Sequence, residues 1–325
     1  MIETVELTLA QVGLGTLTEP ALLALFASAQ AHFLTQGTGR SLREITDPAG
    51  ALLYPGYYWL HLRVPEDQPI GRFQVWDRIG LGVDVRRMGR LVIDSSYVLG
   101  EATGMLDDPA GWDPARFPTM RSGSIFVVDG TDKPRVSAPK EGHVVELPLV
   151  KERPAAFDRL REVRIEGRLR PELVATIRCR EPIAQRVAFG RSLSPGHNLM
   201  FIGYVELMDN AEQALLTEHA WPAFPVAALS RREVVEREVF FINHASGERR
   251  ILADVRARID WVGNRPLGED RRFVAPAVIE SAIELYEEGT GLLLAVCAAR
   301  KQLVLPHDQT ALLNELERLA RRHRG

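Results

Sequence analysis

Two stretches of this 325-residue chain, 18–36 and 198–221, are apolar around most of the surface that a helix built from them would present. In "TEPALLALFASAQAHFLTQ", Thr18 reads as an N-cap with Pro20 soon after it. Leu22, Leu23, Leu25, Phe26, Ala29, Phe33 and Leu34 then follow with mixed helical spacing. A helix without a broad polar stripe must be covered on several sides, and a curved antiparallel sheet is a natural cover. "NLMFIGYVELMDNAEQALLTEHAW" at 198–221 makes the same demand.

Material for that cover follows each helix. Strand-like segments lie at 51–64, 71–88, 90–99 and 122–129 after the first, and at 229–243, 249–262, 274–287 and 290–304 after the second. Turn residues and proline separate them and no helix-forming segment interrupts either run, so the pairing is antiparallel. Residues 102–120 are loop-like, and 130–196 form a proline- and charge-rich connection with room for a short strand or helix. "HDQTALLNELERLARRHRG" closes the chain as an amphipathic helix. The expectation is an α+β chain: a unit at 1–150, a connection at 151–195 and a second unit at 196–325. A largely apolar helix enfolded by antiparallel sheet is the hot-dog arrangement, and two copies make a double hot dog, with two antiparallel sheets each wrapping a central helix. The duplication rests on element order, because no residue-level repeat is present. By analogy of fold, a ligand belongs between the two units.

Composition removes several alternatives. At 46% hydrophobic the chain can bury a sizeable core, and a formal charge of -3 creates no field that recruits nucleic acid or an anionic membrane. Cys179 and Cys297 sit in neither disulfide nor zinc spacing, so no metal site is expected. The acidic start "MIETVELTLAQ" and the short apolar run "GLLLAVCAA" at 291–299 argue against a signal peptide and a membrane span, and a cytoplasmic protein is expected.

Four segments carry a resemblance to a known family. "GLGTLTEPALLALFASAQAHFL" at 13–34 looks like a Gly-rich entry into a first helix, and "LLYPGYYWLHLRV" at 52–64 like a Tyr-x-x-aromatic strand. "LMFIGYVELMDNAE" at 199–212 is similar to a second helix, and "EVFFINHASGE" at 238–248 to an aromatic-aromatic-x-Asn strand end. Together they resemble the double hot-dog acyltransferase/decarboxylases of polyketide β-alkylation, the leinamycin-pathway type. The resemblance implies an enzyme that takes a methylmalonyl (or malonyl) group from coenzyme A, releases carbon dioxide and places the propionyl group on an acyl carrier protein. It also implies a catalytic or acyl-carrying tyrosine on the first unit's strand, which falls on Tyr54, or on Tyr57 or Tyr58 in another register. Acyl-coenzyme A and an acyl carrier protein are the implied partners, the coenzyme A thioester is substrate rather than cofactor, and a homodimer is compatible.

Decarboxylating a malonyl-type thioester requires hydrogen-bond donors aimed at the thioester oxygen of an enolate. Asn243, at the end of "FFIN", is the favoured second donor, with His244 behind it. Tyr58, Asn198 and Thr16 are candidate substrate-binding residues: Tyr58 shares Tyr54's strand face, and the other two lie near the starts of the two helices. Each has a plainer reading. Tyrosines beside Trp59 suit the packing of a pleated surface, and "NHASGE" suits a hairpin turn. Ser95 and Ser96 interrupt an apolar strand. Coenzyme A phosphates call for arginine at one mouth, with Arg86, Arg87, Arg90, Arg178, Arg180, Arg231 and Arg232 as candidates. Two further activities remain open, a thioesterase or a dehydratase pairing His61 with Glu206 or Glu212, as does a non-catalytic scaffold that binds a carrier protein.

Overall fold

A computed structural model describes residues 1–8, 12–13, 16–101, 112–128, 135–150, 152–170, 172–179, 181–185, 199–220, 223–245, 250–268 and 272–324. The first half contains β1 (Ile2–Glu6), a short hairpin of β2 (Val12–Gly13) and β3 (Thr16–Leu17), helix α1 (Glu19–Thr35), β4 (Leu53–Arg63), β5 (Arg78–Met88), β6 (Val92–Gly100) and β7 (Thr119–Val128). The connection holds α2 (Ala156–Glu166), β8 (Ile177–Arg178) and β9 (Ile183–Gln185). The second half contains α3 (Phe201–Ala214), which runs on as a π turn at Leu215–His219, then α4 (Val226–Leu229), β10 (Arg232–Phe241), β11 (Ile251–Leu267), β12 (Phe273–Glu287), β13 (Leu293–Leu303), β14 (Leu305–Pro306) and α5 (Thr310–Arg324).

Among the described residues, twelve strands form one sheet in the order β1-β5-β6-β7-β4-β10-β13-β12-β11-β8, with β14 on β12 and β9 on β11. The sheet curls around α1 and α3. Leu22, Leu23, Phe26 and Leu34 of α1 and Val205, Leu207, Met208 and Ala211 of α3 are buried in one common core. α2 covers the outer face at the centre, setting Ala156, Leu160 and Val163 on Tyr58, Trp59, Phe240 and Val296. α5 buries Leu313, Leu316 and Leu319, a single helical stripe of the kind its sequence predicts.

Ladder register reveals the internal repeat that the residues hide. β4 and β10 pair at the middle of the sheet, with Trp59 opposite Phe240, Arg63 opposite Glu236, and His61 opposite Glu238 at the midpoint. An approximate two-fold axis passes there. β4 bulges at Tyr58 against β7, just after Tyr57 meets Ser124, and β10 bulges at Val235 against β13, just after Val234 meets Lys301. Ile93 lies opposite Ser124, and Ile279 opposite Lys301. Register therefore equates Tyr57 with Val234, Ser124 with Lys301, and Ser95 with Ser281. The helices obey the same relation, since Gln30 is the twelfth residue of α1 and Glu212 the twelfth of α3. Each reaches its half's serine, Gln30 at 2.9 Å from Ser95 and Glu212 at 2.6 Å from Ser281.

One contact between the halves titrates near neutrality. The half-buried Glu233 on β10 accepts the Gly71 N–H at 3.1 Å. Desolvation pushes its carboxyl from 4.5 to about 7, against the pull of that hydrogen bond and of Arg231. A raised carboxyl favours the fold most below pH 4.5, and the contribution is lost as pH climbs through about 7. Glu233→Gln, which keeps the acceptor and cannot ionise, is expected to stabilise by about 1–2 kcal/mol at pH 8 and to be neutral at pH 4. Urea titrations of both proteins at the two pH values measure this, and an equal effect at both would refute the assignment.

Candidate functional site

The bulge at Tyr58 decides where the tyrosines go. An extra residue in β4 puts two consecutive side chains, Tyr58 and Trp59, on the outer face against α2, while Tyr57 joins Leu53, Leu60 and Leu62 on the inner face. Tyr57 lays its ring on Phe201, the first residue of α3, with centroids 4.4 Å apart. Its hydroxyl donates to Gln30 Oε1 at 2.9 Å, and Gln30 Nε2 donates to Ser95 Oγ at 2.9 Å and Ser124 Oγ at 3.2 Å. Behind them the Tyr97 hydroxyl lies 3.4 Å from that of Tyr57 and 3.2 Å from Ser122 Oγ. Burial pushes the Tyr57 phenol well above its usual range.

Tyr57 and Gln30 form one wall of a crevice of about 820 Å³ between the two halves. The other walls are the first half of β4, the start of α3 from Leu199 to Tyr204, and the chain leaving β10 from Phe241 to His244. Its lining is mostly apolar and includes no carboxylate among the described residues. α3 begins after Met200 without a side-chain cap and has no acid in its first turn, so the positive end of its dipole and its uncapped first N–H groups lie at the edge of this mostly apolar space.

Of the five residues singled out by sequence, three border this crevice: Tyr54, Tyr58 and Asn243. Tyr54 lies close enough to Tyr204 to raise that residue's phenol further, after burial has raised it most. The Tyr204 hydroxyl donates to the Asn243 carbonyl at 3.1 Å and accepts the Ala245 N–H at 2.8 Å, which pins the chain leaving β10. Asn243 also holds that turn, because its Nδ2 donates to Leu293 O at 2.7 Å. Tyr58 contributes its ring, which lies 4.9 Å from Phe157, while its hydroxyl is buried without a hydrogen-bond partner among the described residues. Thr16 bridges Gln74 in the β2–β3 hairpin before α1 and is not among the lining residues. Asn198 and Arg180 lie outside the described residues. His244 borders the crevice, and burial holds its imidazole below its ordinary value, hence neutral at pH 7. Arg43 and Arg164, neither among the expected arginines, line the crevice as exposed residues; the described candidates do not.

The dehydratase pair is not brought together. His61 Nε2 is 2.8 Å from Glu236, a hydrogen bond that pulls the Glu236 carboxyl down to about 2. Both sit in a separate cleft of about 330 Å³ beneath α2, where five arginines face five glutamates. Glu206 lines neither cavity. Glu212 belongs to the crevice that the two-fold axis makes equivalent to the open one. There Lys301 stands at the place of Ser124 and Arg237 at the place of Leu60, and Glu19 opens α1 where Phe201 opens α3. Arg237, 0% exposed, pairs with Glu19 and, at 2.6 Å, with Asp209. Lys301 bonds Asp209 at 2.6 Å and Glu212 at 3.0 Å, and Arg232 bonds Glu212 at 2.6 Å. Three acids and three bases thus fill one crevice with charge while its mate stays open and apolar.

No protein-family model and no curated protein matches the sequence. Solved structures do match. A Lactobacillus plantarum protein provisionally described as an oleoyl thioesterase is 10% identical with a TM-score of 0.56, over 94% of this chain and 96% of that one. The 12:0-ACP thioesterase from Umbellularia californica is 12% identical over 93% of both chains, with a TM-score of 0.49. An acyl-ACP thioesterase from Bacteroides thetaiotaomicron is also 12% identical, over 93% of this chain and 97% of that one, at 0.48. Helix-in-sheet twice over, one continuous antiparallel sheet and a likeness spanning nearly the whole chain make this protein a double hot dog.

Proposed function

We propose that this protein is an acyl-thioester-processing enzyme that decarboxylates methylmalonyl- or malonyl-coenzyme A and transfers the resulting acyl group to an acyl carrier protein. The observation that carries the reading is the apolar crevice ending on the uncapped start of α3, with phenols beside it and no carboxylate among its described lining residues. Apolar walls suit the acyl group and leave a malonyl carboxylate poorly solvated, which favours its loss as neutral carbon dioxide. As the carbon–carbon bond breaks, its electron pair passes to the thioester as an enolate. The helix N–H groups and the Tyr54 hydroxyl are suited to hold that oxygen. A proton then adds at the α-carbon, the carrier thiolate attacks the carbonyl, and the coenzyme A thiolate leaves. Asn243 supports the turn that carries His244, and its second amide hydrogen is a further donor.

Thioester hydrolysis is the second reading, favoured by His244, a neutral imidazole suited to take a proton from an attacking water, and by the description of the Lactobacillus plantarum structure. Intact-mass measurement after incubation with methylmalonyl-coenzyme A and a carrier protein separates the two. A propionyl mass on the carrier with carbon dioxide release supports the first, free acid without carbon dioxide supports the second, and an unchanged substrate sinks both. Tyr54→Phe is expected to lower turnover about tenfold, the effect of one lost hydrogen bond to a developing charge. Full activity in that variant removes Tyr54 from the mechanism.

A further inference from the structure

Charge is distributed unequally between the two cavities beside α2. In the cleft beneath it, five arginines face five glutamates, so the cations there are balanced from within the protein. In the open crevice the charged residues among the described lining are Arg43 and Arg164, because His244 is neutral and no carboxylate is present. Neither arginine makes an ion pair or a side-chain hydrogen bond among the described residues. The fold also turns the nearest acids away. Glu44 follows Arg43 in sequence, but its carboxylate accepts the Ser41 N–H at 2.7 Å and the Ser41 hydroxyl at 2.8 Å, closing the helical turn at Leu42–Glu44. On α2, Glu162 and Glu166 line the charged cleft while Arg164, midway between them in sequence, lines the crevice. The turn after α1 and the connecting helix thus each bring one guanidinium without a counter-charge to an apolar space.

We infer that Arg43 and Arg164 hold the phosphate groups of the coenzyme A thioester at the mouth of the crevice. Both side chains are exposed, which puts their charge where the crevice meets water and leaves the rest of the described lining free of cations. That placement suits a phosphate and not the malonyl carboxylate. An arginine on the carboxylate would stabilise the group that must be lost, and so oppose decarboxylation. The size of the crevice agrees: about 820 Å³ suits a drug-sized ligand, far more than a methylmalonyl group needs, and the pantetheine arm fills the remainder. Planar guanidinium forks match phosphate oxygens, which favours arginine over lysine for this task. Coenzyme A, with several phosphates, engages two arginines from separate segments better than the single phosphate of a carrier protein's arm. Both arginines bind and orient substrate and take no part in bond making. The inference rests on the acyl-thioester reading, in its transfer or its hydrolysis form, and assigns the polar end of its substrate.

Binding is read without turnover by calorimetry at low salt with three inert thioethers: S-propyl-coenzyme A, S-propyl-4′-phosphopantetheine and the phosphate-free S-propyl-pantetheine. The coenzyme A probe is expected to bind about 25-fold tighter than the phosphate-free one, roughly fivefold for each arginine, with the 4′-phosphopantetheine probe between them. Added salt should shrink that advantage, because the site is exposed. Arg43→Gln and Arg164→Gln should each weaken the coenzyme A probe about fivefold and leave S-propyl-pantetheine unchanged. The double variant should lose most of the advantage. Arg161→Gln, at another exposed arginine of α2 that lines neither cavity, should change nothing. Equal affinities in the unmodified protein, no binding of any probe, an advantage that survives the double variant, or an equal loss in Arg161→Gln each overturns the inference. A 4′-phosphopantetheine probe as tight as the coenzyme A probe overturns it too, since the phosphate held would then be one that carrier proteins share. An arginine-dependent advantage with no product in the mass assay would leave this subsite standing and refute the enzymatic proposal. Product formation with equal affinities would do the reverse.

Discussion

Arg237→Met should destabilise the protein by about 3–5 kcal/mol, the usual consequence of removing one partner from a buried ion pair. The guanidinium, 0% exposed, bonds two oxygens of Glu19 and one of Asp209, and lies 3.6 Å from Cys297 Sγ. Methionine fills part of the volume but leaves two acids that its charge had balanced. Lys301, bonded to Asp209 and Glu212, can neutralise only part of that excess. Titration with urea is the measurement, and the triple variant Arg237→Met, Glu19→Gln, Asp209→Asn provides the control. If lost charge balance is the cause, the triple variant should recover a large share of the stability. A single variant within about 1 kcal/mol of the parent would mean that water reaches the cluster and the ions are weakly coupled.

Gly123→Ala should be nearly as damaging, about 3 kcal/mol, at the upper end of what overpacking costs. A methyl group at position 123 would stand 2.1 Å from both Cζ and Oη of Tyr58. That ring cannot swing away, because Phe157 of α2 holds its other side. Tyr58→Phe in the same chain should not rescue, since Cζ remains, whereas Tyr58→Leu should restore most of the loss. Thermal melting of the three proteins decides it. A rescue by phenylalanine would place the conflict at the hydroxyl alone.

Much of the architecture was legible because it rests on short-range pattern. Helices buried on several sides lack a polar stripe, and strand runs punctuated by glycine and proline declare themselves locally, so α1, α3 and most of the eight main strands lie where periodicity puts them to within a few residues, although β5 begins at Arg78 rather than 71 and β11 runs on to Leu267 rather than 262. β1 escaped because "IETVE" is too short and too charged to read as a strand; its place comes from pairing with β5, some 80 residues away. The two-fold relation escaped for a similar reason. It lives in ladder register and in two bulges, neither of which leaves a mark on residue identity. Within the site, Tyr54, Tyr58 and Asn243 were visible as aromatic and amide residues on strand ends. That Tyr58 and Trp59 share the outer face depended on the bulge at Tyr58, which a regular alternation of side chains cannot supply. Gln30 was invisible, since one glutamine on an apolar helix has no local signature, and its meaning comes from serines 65 and 94 residues away. The buried ions could not be inferred either, because Glu19 and Arg237 are 218 positions apart.

The filled crevice also explains why the two units need to share a chain. In a symmetric pair of identical single-unit chains, any side chain that plugs one crevice plugs the other, so a structural staple and a ligand site exclude each other by symmetry. Covalent fusion removes that constraint. Position 301 can be lysine while position 124 remains serine, and an ionic staple can hold the halves together without reaching the space left for a ligand.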